Sequence, residues 1–241
     1  MPIIFKNSKM NNVINVVCCG YRSWAINIIN EITKNSRINI VHIFDSKNEY
    51  DLKIQTIEVK VDVILFLGWS WFIKKEITDK FICLGIHPSD LPNYRGGSPI
   101  QHQIINGIKK TNVSLFTISE KLDEGDIWLK EKLDLSGNNM DEIFKNIETS
   151  SVILLNKFFN LFPNITPTQQ DLKLGSYFKR RTPNQSEITL DDFKNKSLED
   201  IYNTIRCLTD PYPNAYMQDS DGNRLVFNDI GFIKNTPKEL T

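Results

Sequence analysis

Two residues of this 241-residue chain stand where bond-making chemistry is plausible on residue type and setting alone, His87 and Asp123. His87 closes an apolar run, residues 81–86, and is followed by Pro88-Ser89-Asp90-Leu91-Pro92-Asn93-Tyr94-Arg95-Gly96-Gly97-Ser98-Pro99. Prolines fix φ and glycines release it, so this loop is stiff in places and permissive in others, as a pocket wall must be. Asp123 lies in Leu122-Asp123-Glu124-Gly125-Asp126-Ile127, just before another apolar run. A carboxylate that reaches an imidazole fixes its tautomer, and it can also take a proton from an attacking amine. Each feature has a plainer reading. A lone histidine in an apolar strand is usually a hydrogen-bonded structural residue, and a polar stretch like 122–127 is often only a hairpin turn. His42 (mid-strand) and His102 (on a helix after the loop) take that plainer reading.

The elements that must position these residues alternate in the first half. Residues 13–19, 38–44, 61–67 and 81–86 read as strands apolar on both faces. Residues 23–33 carry Trp24, Ile28, Ile29 and Ile32 at helical spacing, and 72–80 suits a short helix. Buried strands separated by helices predict a doubly wound, mostly parallel sheet covered on both sides. In such sheets ligands bind beyond the carboxyl ends of the strands, which is where His87 falls. Further on, 98–108 reads as a helix with Pro99 at its first position. Residues 113–119 and 127–133 read as strands, and 140–162 as a long amphipathic helix. After Pro163 a connecting segment leads to a capping box at Ser197 and Asp200, a helix, and two short strands around Asp221-Gly222. The expected organisation is a domain over 1–165 carrying the chemistry, then a linker and small α+β subdomain over 166–241.

Composition narrows the class. Lys plus Arg and Asp plus Glu both number 29, so the formal charge is zero and no polyanion-binding surface is indicated. Residues 1–12 are too polar for a secretory leader, and the apolar stretch 61–73 is too short to span a bilayer. The four cysteines have neither zinc nor disulfide spacing, which suits reduced, buried thiols in a cytoplasmic protein.

The pattern His87-Pro88-Ser89, Leu91-Pro92, Tyr94-Arg95-Gly96, Pro99, then Asp123-x-Gly125-x-Ile127, resembles the N-formyltransferases that use 10-formyltetrahydrofolate. The interval of 36 positions from 87 to 123 matches the family's His-to-Asp spacing. Downstream, residues 176–183 and 210–215 resemble segments of the methionyl-tRNA and sugar-nucleotide members. The resemblance implies a Rossmann-like core, 10-formyltetrahydrofolate as co-substrate, and His87 with Asp123 at the reaction centre. It places the folate ring near Leu67, Gly68, Trp69, Ser119 and Leu122, where Trp69 and Trp71 are as much core candidates as pocket candidates. One position departs. The family usually carries an asparagine two residues before the histidine to help hold the oxyanion, and here it is Gly85. Gln101, Ser89 and the amides of Gly96 and Gly97 are the nearby substitutes.

The acceptor is read as the amine of a nucleotide-linked amino sugar. Residues 166–241 hold 10 basic and 11 acidic side chains, a poor surface for tRNA phosphates. The chain also looks short for the second domain of a tRNA enzyme. Arg95, Gly96, Gly97, Arg180 and Arg181 are the candidate substrate-binding residues, with the arginines available to a diphosphate. The resemblance adds a homodimer as the expected assembly, with neither nucleic acid nor membrane as partner and no metal. A formyltetrahydrofolate hydrolase, an inactive binding homologue and a tRNA formyltransferase remain as alternatives.

Overall fold

The computed structural model describes residues 13–234; the polar N-terminal stretch 1–12 and residues 235–241 lie outside them. The chain runs β1 (Ile14–Cys19), α1 (Ser23–Ile32), β2 (Ile38–Phe44), α2 (Lys47–Lys53), β3 (Val63–Phe66), α3 (Lys75–Lys80) and β4 (Cys83–His87). It continues with β5 (Arg95–Gly96), α4 (Pro99–Ile105), β6 (Lys110–Thr117), β7 (Ile127–Asp134) and α5 (Met140–Leu161). The rest is β8 (Tyr177–Phe178), α6 (Leu190–Asn195), α7 (Leu198–Arg206), β9 (Ala215–Gln218) and β10 (Arg224–Phe227).

Six strands form one sheet in the order β2-β1-β3-β4-β6-β7. The first four are parallel, while β6 runs antiparallel to both β4 and β7. The sheet is thus mostly parallel and wound in both directions from β1, with helices on its two faces. Periodicity dictates which helix covers which face. Ala25, Ile28, Ile29 and Ile32 make one buried stripe on α1. Residues Met140, Ile143, Phe144, Ile147, Leu154, Leu155 and Phe158 do the same on α5. These helices and α4 pack against Val16, Cys18, Leu65, Leu84, Ile86 and Leu115 in one large cluster. On the other face Tyr50, Ile54 and Ile77 cover Val17, Cys19, Ile64 and Phe66. Helix α5 opens on an Asn139 cap whose side chain accepts from the Glu142 N–H at 3.0 Å. It stops at Phe162, which takes an extended ψ of 136° as expected before Pro163.

Strand β6 begins three residues earlier than the sequence suggested. Lys110, Thr111 and Asn112 are polar but pair with Asp134, Leu133 and Lys132. β7 is the sheet edge, where a strand needs no apolar face to be held. The capping box at Ser197 and Asp200 and the β9–β10 hairpin form as expected. Ile188, Ile201, Ile205, Leu208 and Ala215 belong to the same apolar cluster as β1 and α5, so the C-terminal elements share one core with the sheet. Arg206 ties them down: buried, it donates to the carbonyls of Leu135 and Gly137 at 2.7 and 2.6 Å and to Asn203 at 2.8 Å. Among the described residues no helix is long and apolar enough to cross a membrane.

Candidate active site

His87 ends β4, buried at its carboxyl end. The loop between β6 and β7 doubles back over the sheet and carries Asp123, also buried, to 3.6 Å from it, measured from Nδ1 to Oδ2. The other ring nitrogen, Nε2, lies 2.8 Å from the carbonyl oxygen of Tyr94. A carbonyl only accepts, so Nε2 carries the hydrogen and Nδ1 is the basic nitrogen, turned toward Asp123. The tautomer is therefore set by the loop that follows the histidine. Asp123 Oδ2 also accepts the Gly96 N–H at 2.8 Å. The two residues the sequence singled out for chemistry do meet, through a shared loop.

That loop is held from several directions. Ser114 on β6 donates to the Ser89 carbonyl at 2.7 Å, and Ser89 donates to the Asn93 carbonyl at 2.7 Å. Tyr94 has a φ of +57°, a left-handed conformation that costs a bulky residue about 1 kcal/mol or more. Its ring stacks on Phe178 at 5.0 Å and 8°, and its hydroxyl accepts from Asn106 at 3.1 Å. Strand β8 pairs in parallel with β5, and Ser176 bonds the Tyr94 N–H through its hydroxyl and the Arg95 N–H through its carbonyl. The stretch read as a linker is thus part of the frame that holds the loop after His87. In the sequence Tyr94 and residues 176–183 stand only as motif positions, without a role; the structure sets Tyr94, Ser176 and Phe178 around the loop that follows His87. Strands of two residues carry no periodicity to find.

The remaining site residues divide. Arg95 is buried with its guanidinium on Glu124 at 2.8 Å, so it is engaged inside the protein and not open to a diphosphate. Arg181 is likewise turned inward, donating to the Gln185 carbonyl, and burial pulls its pKa down. Arg180 stays exposed, and its backbone packs against Gly97, where a Cβ would sit 2.4 Å from the Arg180 Cα. Leu67 is wholly buried in the core, so its side chain cannot touch a ligand. Gly68, at φ +58°, backs onto the Trp24 ring. Trp69 joins Tyr21 and Trp71 in an edge-packed aromatic group at the ends of β1 and β3, and its buried indole N–H has no partner. Ser119 donates to the Lys121 carbonyl, and Leu122 is exposed.

The departure at Gly85 has a physical counterpart. A Cβ there would lie 3.0 and 3.1 Å from the Phe116 ring and 3.3 Å from Ile118. Gly85 pairs with Phe116 across the strands, and the ring stands edge-on to His87 at 6.4 Å. The ring occupies the space an asparagine would need. Three of the substitutes considered are engaged elsewhere, and the fourth is buried. Ser89 donates to Asn93, Gly96 to Asp123 and Gly97 to the Phe178 carbonyl at 2.9 Å, while Gln101 is buried on α4.

A family profile described as Formyl transferase matches residues 14–151. This chain belongs to the formyl transferase family. Methionyl-tRNA formyltransferase of Clostridium acetobutylicum is 31% identical over 202 residues, covering 82% of this chain and 64% of that protein. The same enzyme of Rickettsia massiliae is 31% identical over 167 residues, and this chain spans 54% of its length. Among solved structures, methionyl-tRNA formyltransferase from Clostridium thermocellum superposes with a TM-score of 0.74 at 33% identity, over 89% of this chain and 97% of that one. A 4-N formyltransferase from Francisella tularensis shares the fold, with a TM-score of 0.72 at 20% identity over 91% and 99% of the two chains. The matched region contains His87 and Asp123, while the frame around residues 168–181 lies beyond it.

Proposed function

We propose that this protein moves a formyl group from 10-formyltetrahydrofolate to the amine of a nucleotide-linked amino sugar, a dideoxy-amino sugar of the kind used in bacterial surface polysaccharides. The observation that carries the reading is the buried His87–Asp123 approach of 3.6 Å, with the tautomer fixed by Tyr94. The folate supplies an activated one-carbon acyl group. Its flat ring is assigned to Leu122, Trp69 and the loop at Ser119, where Leu122 is exposed. The chain's own residues then manage protons. Nδ1 of His87 is the base within reach of an entering ammonium, and Asp123 stabilises the imidazolium that results. Burial of both groups strengthens that attraction relative to water. The Asp123 carboxylate is held by the Gly96 amide, so it does not reorganise as charge develops.

For the acceptor, exposed Arg180 beside Gly97 suits a diphosphate, and the near-neutral balance of 166–241 disfavours a long polyanion. The identity to methionyl-tRNA formyltransferases favours a second reading, in which the acceptor is an aminoacyl-tRNA. The proposal includes a homodimer, because among the described residues β10 leaves a free strand edge with Leu225 and Val226 exposed. Light scattering checks that part. The test of function is a mass-spectrometric screen of dTDP-, UDP- and GDP-linked amino sugars and methionyl-tRNA with 10-formyltetrahydrofolate. A gain of one formyl mass on a sugar nucleotide supports the reading. Formylation of the tRNA alone, or formate release without an acceptor, replaces it with the tRNA enzyme or the hydrolase.

A further inference from the structure

Residues 168–170 run alongside the loop that carries Asp123. Ile127 and Thr168 exchange two backbone hydrogen bonds, each 2.8 Å. Two residues on, Gln170 is buried, and its Nε2 donates to the carbonyl of Asp123 at 3.0 Å and to that of Gly125 at 2.6 Å. One amide group thus grips the backbone on both sides of Glu124. Asp123 itself has a φ of +55°, a left-handed conformation that a non-glycine residue keeps only when its surroundings enforce it. Gly125 is pressed on the Thr117 carbonyl, where a Cβ would stand at 1.7 Å. The loop is therefore wedged against β6 from one side and clamped by Gln170 from the other.

We propose that Gln170 is a positioning residue for formyl transfer: by fixing the Asp123 backbone in this conformation it sets the direction in which the carboxylate meets His87. The inference rests on the reading of His87 and Asp123 as the reaction centre. A purely stabilising role fits less well. The Gln170 Oε1 is buried with no partner, and an unsatisfied buried oxygen costs stability. A side chain kept for packing would do better without it. The donor pair aimed at two carbonyls is the part that the loop uses.

Gln170→Leu and Gln170→Met keep the bulk and remove both donors. Each is expected to lower kcat about 10- to 100-fold, in line with the penalty for misplacing a catalytic group by about 1 Å. The KM for both substrates should stay within about threefold. The chain has three histidines, so the ring resonances of His87 can be followed by NMR against those of His42 and His102. In both variants the His87 signals should move as they do in Asp123→Asn, with the other two in place. Rates within twofold of the parent, or a rate loss with the His87 signals unmoved, overturn the proposal. Should the apolar variants not fold, Gln170→His keeps a donor, while Gln170→Glu at pH 8 keeps the shape, loses both donors and sets a negative charge against the two carbonyls. Equal rates for that pair overturn it equally. If Asp123→Asn itself leaves the rate intact, the reaction-centre reading falls. If Asp123→Asn abolishes turnover and the Gln170 variants do not, only the positioning role is lost.

Discussion

Restoring an asparagine at position 85 tests what the Phe116 ring does. Gly85 and His87 lie two residues apart on β4, so their side chains share one face of the sheet. The contacts of 3.0, 3.1 and 3.3 Å awaiting a Cβ at Gly85 are all tighter than ordinary packing. Two of the three belong to Phe116, which is itself buried and abuts His87. Gly85→Asn alone therefore forces the ring toward the imidazole. Overpacking of this kind costs about 1–3 kcal/mol of stability. For a chain of this size that is a fall of about 2–4 °C in Tm for each kcal/mol. We expect kcat to fall as well, since the displaced ring presses on the base. Phe116→Ala vacates the space at a cost of about 3–5 kcal/mol. In the double variant Gly85→Asn/Phe116→Ala the amide can occupy the vacated volume. A preorganised oxyanion donor is worth about 2.7–4 kcal/mol of barrier, or about 10²–10³ in rate. The double variant should thus exceed Phe116→Ala in kcat by up to that factor, with part of the lost Tm recovered. The assay is a single-turnover formyl-transfer rate beside a thermal melt for all four proteins. A faster Gly85→Asn single variant with unchanged Tm would show that the ring blocks nothing. A double variant no faster than Phe116→Ala would show that no donor is needed at that face.

Three further outcomes follow from the same structure. Gly125→Ala should fold but lose at least about 100-fold in kcat, because its methyl would collide with the Thr117 carbonyl and lift the Asp123 loop; near-normal turnover would mean the loop has another stable seat. Arg206→Ala leaves the Leu135 and Gly137 carbonyls and Asn203 without their donor, at about 1–3 kcal/mol for each buried group; a melt lowered by less than about 2 °C would contradict the clamp. Burial pushes the Cys18, Cys83 and Cys207 thiols up to about 12, so at pH 8 the thiolate fraction is on the order of 10⁻⁴ and access is closed as well. The pKa is raised, so reactivity should appear only as pH rises toward that value. Iodoacetamide at pH 8 should leave the native chain unmodified and add to all four thiols in guanidinium, and rapid native labelling would refute the burial.

Much of the framework was legible in the chain itself. Apolar strands of β-branched residues and helices with stripes such as Ala25, Ile28, Ile29 and Ile32 specify a covered, mostly parallel sheet, because those patterns have no other way to bury both faces. His87 at a strand end and Asp123 before the next strand were legible too, since their types and the proline- and glycine-rich loop between them are local facts. Tertiary structure alone decided the rest. Arg95 and Arg181 look like free cations in sequence, but one is taken by Glu124 and the other by the Gln185 carbonyl, and only contacts distant in space or set by a turn can reveal that. The replacement of an asparagine by the Phe116 ring depends on strand register between β4 and β6. The tautomer of His87 comes from a carbonyl seven residues further on, and the left-handed Asp123 is gripped by Gln170, 45 to 47 residues away from the backbone it holds. Hydrogen bonds between backbone carbonyls and remote side chains leave no periodic trace in a sequence, because any residue supplies the carbonyl and only the fold brings the donor to it.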